Sequence, residues 1–358
     1  MSNRVGILVN QYVLHKAMRG RPTNEQFSLY KEIALEHGID IIIFSIEDII
    51  IGRHRVRGYV PSEEGWQKMT TSIPRVIHKR TLYRSGAPLA LLDRLSRRGV
   101  TFVNPHRIQN KEKMHVILAG DESANVHIPA TWPGSWHSVK QLLDAGHTVI
   151  IKPKIGSVGE GVLKIAPLSK RRVLITGRSM RVLSHSGLRQ ILRNRIPLRH
   201  YLVQQCINLA RYNERPFDLR VPVQQNDRGE WKVPGTVAKV ATTHPFLTNI
   251  GQGGSAIRGE IVIAAVFPPE TIDALSDRIR RLAFDVAQAV SSRYRHAVDL
   301  GLDVGVDSEG KPWLFEVNTR DQRITFLQAG MNRELREIYT NPLLYCASLG
   351  QNTDAPQT

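Results

Sequence analysis

The sequence predicts an α+β protein, α/β in its first part, built from more than one packed unit. Its 358 residues exceed the usual size of a single domain, and 41% hydrophobic with 23% charged residues is the balance of a globular chain. Within the first hundred residues short apolar runs alternate with helical patterns, which predicts a small parallel sheet. Beyond about Asn104 the apolar runs are punctuated by tight turns and read instead as antiparallel strands around a long helix.

In chain order, Val5–Val9 (VGILV) is the first strand, followed by an Asn/Gln-rich loop. Residues 23–38 read as a helix capped by Thr23 and stopped by Gly38, with Phe27, Tyr30, Ile33 and Ala34 on its apolar face. The unbroken apolar run 39–45 suits a parallel strand buried on both faces. A short strand at 75–78, a helix at 88–98 and a strand at 100–103 complete this unit. No glycine-rich turn follows the first strand, so a dinucleotide site is not expected. Helices follow at 110–118 and 135–145, and strands at 147–153, 161–166, 199–207, 220–225 and 232–241, the last two joined by the turn 226–229. A long amphipathic helix, 269–294, precedes strands 297–306 and 313–318, which a tight turn at 307–310 connects. The expected units are residues 1–104, 105–205 and 206–349, with a frayed tail at 350–358.

Composition narrows the function classes. No apolar run reaches the roughly 18–20 residues needed to span a bilayer, the N-terminus lacks a secretory pattern, and two cysteines form neither a disulfide framework nor a zinc site. The cytoplasm is the default compartment, without membrane partners. Net charge is +17, and from Gly161 to Asn213 there is no acidic residue while eleven Lys or Arg occur. Such a surface attracts polyanions: an acidic protein or peptide, ATP itself, or simply solvent ions. Nucleic acid is not favoured, because the only aromatics of that stretch, Tyr201 and Tyr212, sit near its end.

Two segments carry chemistry. In the first, residues 149–162 (VIIKPKIGSVGEGV), Lys152 ends an apolar strand, and Gly156, Gly159 and Gly161 let the backbone adopt positive φ. Successive N–H groups in such a turn make a nest for phosphate oxygens, although a plain hairpin has the same composition. The second, residues 301–319 (GLDVGVDSEGKPWLFEVNT), puts Asp303 on one strand and Glu316 and Asn318 on the next. Residues two apart on a strand share a face, so three oxygen donors converge as Mg²⁺ requires. A solvated carboxylate hairpin is the alternative. The apolar neighbours Leu314, Phe315 and Val317 speak against it, since a buried acid without a cation is costly.

Taken together these segments resemble the ATP-grasp superfamily from about Asn104 to Thr319, and more narrowly the YheC/YheD family of spore-coat-associated ATP-grasp proteins. The narrower likeness rests on the order of Phe44, Asp48, Gly58–Tyr59, Trp66 and IPRVIHKR (73–80), then HIPAT, IIKPKIGSVGEGV, VQQCINL, FDLRV and WLFEVN. It implies an ATP-grasp fold: an N-terminal parallel α/β subdomain and two α+β lobes enclosing a nucleotide. It implies ATP and Mg²⁺ as cofactors. Lys111 and Lys152 would touch the ATP phosphates, and the loop Gly156, Ser157, Gly159, Gly161 would fold over them. The LVQQCI strand, with Gln204, Gln205 and Ile207, would read adenine, and Asp218 would bind ribose. Arg220 and Lys239 would face the γ-phosphate or an acyl phosphate, Asn249 would belong to the loop that approaches phosphate and substrate, and Asp303, Glu316 and Asn318 would hold the metal.

The implied activity is ligation of a carboxylate to an amine through an acyl phosphate, in the cytoplasm or associated with a spore coat. The other reading keeps the fold as a non-catalytic coat or scaffold protein whose basic lobe docks an acidic partner. The acceptor side departs from the superfamily's pattern. Gly301 stands where relatives that join alanine-like amino acids often carry an arginine, and Thr319–Arg320–Asp321–Gln322 replaces a Pro-Gly turn. Substrate identity therefore does not carry over.

Overall fold

The computed structural model describes residues 4–83, 86–105, 110–156, 159–177, 179–242, 244–248 and 250–352. Three sheets organise them. In the N-terminal unit, strands Val5–Leu8, Ile41–Phe44, Val76–Lys79 and Thr101–Val103 are parallel, as expected. Ile41 and Ile43 point into one apolar cluster and Ile42 and Phe44 into another, so both faces are covered. That explains why the sequence run is continuous rather than alternating. An antiparallel hairpin, Arg55–Ser62 with Gly65–Ser72, extends this sheet.

Several local expectations change. The segment expected as an Asn/Gln-rich loop is the helix Gln11–Met18, whose N-cap Asn10 accepts from the Tyr12 amide. The next helix runs Phe27–Glu36 with Gln26, not Thr23, at its N-cap. Thr23 instead turns its hydroxyl onto the Glu25 carbonyl. The strand expected at 232–241 is split into Trp231–Lys232 and Val237–Val240. The last helix, Asn332–Asn352, continues three residues into the expected frayed tail.

The second sheet is antiparallel and includes Val149–Pro153 between Leu163–Pro167 and Tyr201–Gln205. Two strands, Arg172–Thr176 and Met180–Ser184, and a helix, His185–Arg195, enlarge this lobe, in a part of the basic, acid-free stretch for which the sequence predicts no element. Arg171, Arg172, Arg181, Arg189, Arg193 and Arg195 of this stretch are exposed.

The third sheet packs Arg215–Gln225, Asp299–Val306 and Pro312–Asn318 against the helix Ile272–Arg293, which buries Leu275, Ile279, Leu282, Val286 and Val290. Each such side chain removed from water contributes roughly 1.5–3 kcal/mol before entropy is counted. The helix Lys111–Ala119, within the stretch expected to form the smaller lobe, sends Met114 and Leu118 into this larger core. Among the described residues no helix is long and apolar enough to cross a membrane.

A buried ionic cluster joins the N-terminal unit to the third sheet. Asp299 Oδ2 receives Arg80 Nη1 at 3.1 Å, Arg323 Nη2 at 2.9 Å and His78 Nε2 at 3.0 Å, and Gln224 donates to its Oδ1 at 2.7 Å. Arg80 also binds Glu25, and Arg323 stacks over Tyr339. Burial pulls His78 down to about 4, and Asp299 only partly opposes that shift. His78 is therefore neutral at pH 7, with Nε2–H donating to Asp299. Between pH 6.5 and about 4 the unfolded chain takes up a proton that folded His78 refuses, so stability falls as pH falls. The contribution is on the order of 3 kcal/mol. Urea midpoints compared between pH 7 and pH 4.5 should show this loss in the wild type, and a shallower one in His78→Gln.

Candidate active site

The large-lobe side chains come together through strand register. Asp218 lies opposite Lys239, Arg220 opposite Asp303, and Asp303 opposite Glu316. Asn318, two residues beyond Glu316, completes the row and donates from Nδ2 to Asp303 Oδ2 at 3.3 Å. The ladder passes from the Asp303–Glu316 pair to Val304–Leu314, which leaves Phe315 as a β-bulge. Lys152, from the second sheet, donates to the Phe315 carbonyl at 3.2 Å and to Gln204 Oε1 at 2.9 Å. Lys111 Nζ stands 3.4 Å from Glu316 Oε2. The two distant segments thus face each other across one cleft.

The cleft is electrostatically dense. Lys239 Nζ lies 2.7 Å from Asp303 Oδ1 and 3.0 Å from Asp218 Oδ1, and Arg220 Nη2 lies 3.4 Å from Asp303 Oδ1. Burial pushes the Asp303 carboxyl up, but Arg220 and Lys239 outweigh it and hold the group below its ordinary range. Asp218 goes the other way: burial and the Asp303 charge raise it against the pull of Lys239. Thr248 donates to Asp218 Oδ2 at 2.7 Å. Burial and the nearby Lys111 lower Lys152 to about 8.

A cavity of about 210 Å³ runs between the sheets, lined by Lys152, Gln205, Ile207, Asp218, Asp303 and Glu316 among others. At its far end the backbone N–H groups of Gln205 and Cys206 donate to Ala130 and Thr148. Among the described residues that of Ile207 has no acceptor. Gln204 is not free to read a ligand, since its amide bridges Lys152 and Thr131. Gly159 and Gly161 have φ of 71° and 73°. Gly156 does not adopt positive φ, contrary to expectation. Ser157 and Asn249 lie outside the described residues.

Asp303, Glu316 and Asn318 fit Mg²⁺ by donor chemistry. All offer oxygen, and no donor among the described residues reaches Asn318 Oδ1. Among the described residues no three His, Cys, Asp or Glu side chains form a metal cluster on their own. Two carboxylates with an amide oxygen suit a cation that completes its shell with phosphate and water.

A model of the YheC/D like ATP-grasp family matches residues 99–349, well over half of the chain. The chain belongs to this family. Two curated YheC/D proteins of Bacillus subtilis (strain 168) are similar to it. Endospore coat-associated protein YheC is 24% identical over 328 residues, covering 88% of this chain and 90% of the relative. Endospore coat-associated protein YheD is 22% identical over 327 residues, covering 86% and 70%. Among solved structures, D-cycloserine synthetase DcsG aligns with TM-score 0.54 at 13% identity, covering 98% of this chain and 99% of that one. The ATP-grasp ligase PsnB, complexed with a precursor variant, Mg and ADP, aligns with TM-score 0.53 at 14% identity, covering 99% of each. At these identities the likeness shows the fold: this YheC/D-like chain has the α+β ATP-grasp fold.

Within that fold Gly301 has a local cause. A Cβ there would meet Asp321 Oδ1 at 2.3 Å and Arg220 Nη1 at 3.0 Å, so the Arg220–Asp321 pair excludes any side chain. Asp321 is fully buried, and among the described residues neither of its carboxylate oxygens has a hydrogen-bond partner. Burial raises its pKa, with Arg220 opposing. Sequence reasoning named Arg220 but missed Asp321 and the His78–Arg80–Asp299–Arg323 cluster. The one available signal was a strand, VIHKR, that turns from apolar to charged at its end.

Proposed function

We propose that this YheC/D-like chain is a carboxylate–amine ligase using Mg²⁺ and ATP. The observation that supports it is the single cleft in which Lys111, Lys152, Lys239 and Arg220 converge on Asp303, Glu316 and Asn318. Lys111 and Lys152 would hold the phosphates, the turn at Gly159 and Gly161 would cover them, and the Gln205–Ile207 backbone would take adenine. Asp218, whose two carboxylate oxygens meet Lys239 and Thr248, would bind ribose by exchanging one of these contacts for a sugar hydroxyl. A metal held by Asp303, Glu316 and Asn318 would supply Lewis-acid neutralisation of phosphoryl charge.

In the proposed reaction a substrate carboxylate oxygen attacks the γ-phosphorus, forming a C–O–P link as the bond to ADP breaks. An amine then attacks the acyl carbon, releasing phosphate and a proton. Arg220 and Lys239 would stabilise the oxyanions of both steps. No protein nucleophile is needed. The names of the two Bacillus relatives support an association with the spore coat, in a protein otherwise expected in the cytoplasm.

Hydroxylamine, which captures acyl phosphates as hydroxamates, tests this without knowledge of the amine. A mixed pool of amino acids and small organic acids should give ADP and hydroxamate in equal amounts, dependent on Mg²⁺. Lys152→Ala should lower the rate by about 10²–10³-fold, the usual cost of losing one preorganised donor. Nucleotide binding without ADP formation under any acid would favour the scaffold reading, whose support is the exposed acid-free face of the second sheet.

A further inference from the structure

We propose that Arg320, with the buried Lys79 behind it, forms an anion subsite for a second acidic group of the carboxylate substrate, which makes that substrate a dicarboxylate. The inference rests on the ligase reading above and names its acid.

A second cavity, of about 120 Å³, adjoins the main cleft and shares Lys111, Lys152 and Glu316 with it. Its wall continues from Asn318 through Thr319 to Arg320 and meets Leu82 of the N-terminal unit. The other cations of the cleft are answered by acids or carbonyls: Lys111 by Glu316, Lys152 by Phe315 and Gln204, Lys239 by Asp303 and Asp218. Arg320 is not. Among the described residues its guanidinium makes no hydrogen bond and no ion pair, and the charges acting on it are Arg80 and Glu25. Glu25 is already held by Arg80 at 2.8 Å.

Behind Arg320 stands Lys79, the last residue of the strand Val76–Lys79 and 1% exposed. Its ammonium donates to the Thr81 carbonyl at 3.0 Å and has no carboxylate partner among the described residues. Burial, with Arg80 and Arg320 nearby, lowers it to about 7. The residues outside the described set contain a single acid, Asp354 in the C-terminal tail, so neither 84–85 nor 106–109 supplies a counter-charge. Buried cations are costly unless paired. A guanidinium fork matches a carboxylate, and the cavity leads from Arg320 to Asn318 and Glu316, where the reacting carboxylate would meet phosphate.

The test is isothermal titration of the AMP-PNP–Mg²⁺-loaded protein with the α,ω-dicarboxylates from malonate to adipate, each beside its monoamide. The tightest diacid should bind at least about tenfold more tightly than its monoamide, a difference of about 1.4 kcal/mol. Arg320→Gln should bring the two affinities together, with the monoamide reporting on the fold, and Arg320→Lys should keep most of the discrimination. Equal affinities in the wild type, or discrimination unchanged in Arg320→Gln, overturns the subsite. If no diacid binds while AMP-PNP does, the subsite falls and the ligase reading stands. If AMP-PNP itself fails to bind, both fall.

Discussion

Glu316→Gln is expected to reduce ADP formation by about 10³-fold while leaving the fold intact. The substitution keeps shape and removes one charge from the oxygen donors around the transferring phosphoryl group. Losing a preorganised electrostatic contact of this kind typically costs about 3–4 kcal/mol in the transition state. The fold should tolerate it, because the Glu316 side chain is 29% exposed and its partner Lys111 can turn to solvent. Glu309, exposed in the turn of the same hairpin, is the matched control, and Glu309→Gln should stay within about twofold. Steady-state phosphate release with hydroxylamine as the amine reads both variants. A Glu316→Gln enzyme as fast as wild type would mean that this carboxylate is only a solvated surface group.

Asp299→Ala is expected to be the most destabilising single change, by about 3–5 kcal/mol, because it strands buried cations. Arg80 and Arg323 are each about 1% exposed on their side chains, and both aim at Asp299 Oδ2. Removing it leaves Glu25 and the Asp321 carbonyl to serve Arg80, and the Tyr30 hydroxyl and the face of Tyr339 to serve Arg323. The pKa of Asp299 is depressed: burial pushes it up, but Arg323, the His78 hydrogen bond and Arg80 outweigh that. Its contribution is therefore complete above the unfolded carboxylate pKa, near 4, and is lost as pH falls below it. Urea unfolding at pH 7 should show the full loss, and at pH 3 a smaller one. A loss under 1 kcal/mol at pH 7 would contradict the cluster's role in joining the N-terminal unit to the large lobe.

These two residues illustrate what the sequence revealed. Glu316 was legible because its chemistry is local: strand alternation, a tight turn and the spacing to Asn318 put three donors on one face. Even there the bulge at Phe315 was hidden, since a ladder shift depends on the partner strand. Its effect is to offer a carbonyl to Lys152. Asp299 was illegible because its partners come from 24 to 221 residues away, and nothing near it marks a charge cluster. The helix Gln11–Met18 was missed for a different reason. Its Asn and Gln residues read as loop, yet Asn10 is a cap, so polarity at a helix start was taken for its absence. The residues proposed for the nucleotide are written in short motifs, whereas Arg320, Asp321 and Lys79, near the proposed acceptor side, are brought together only by the packed lobes.

The most direct measurement is a crystal structure of the chain with AMP-PNP and Mg²⁺. The account predicts the phosphates against Lys111 and Lys152 and adenine along the Gln205–Ile207 backbone. It also predicts the metal at about 2.0–2.1 Å from carboxylate oxygens of Asp303 and Glu316. A nucleotide bound elsewhere, or a metal that ignores these two acids, would contradict it.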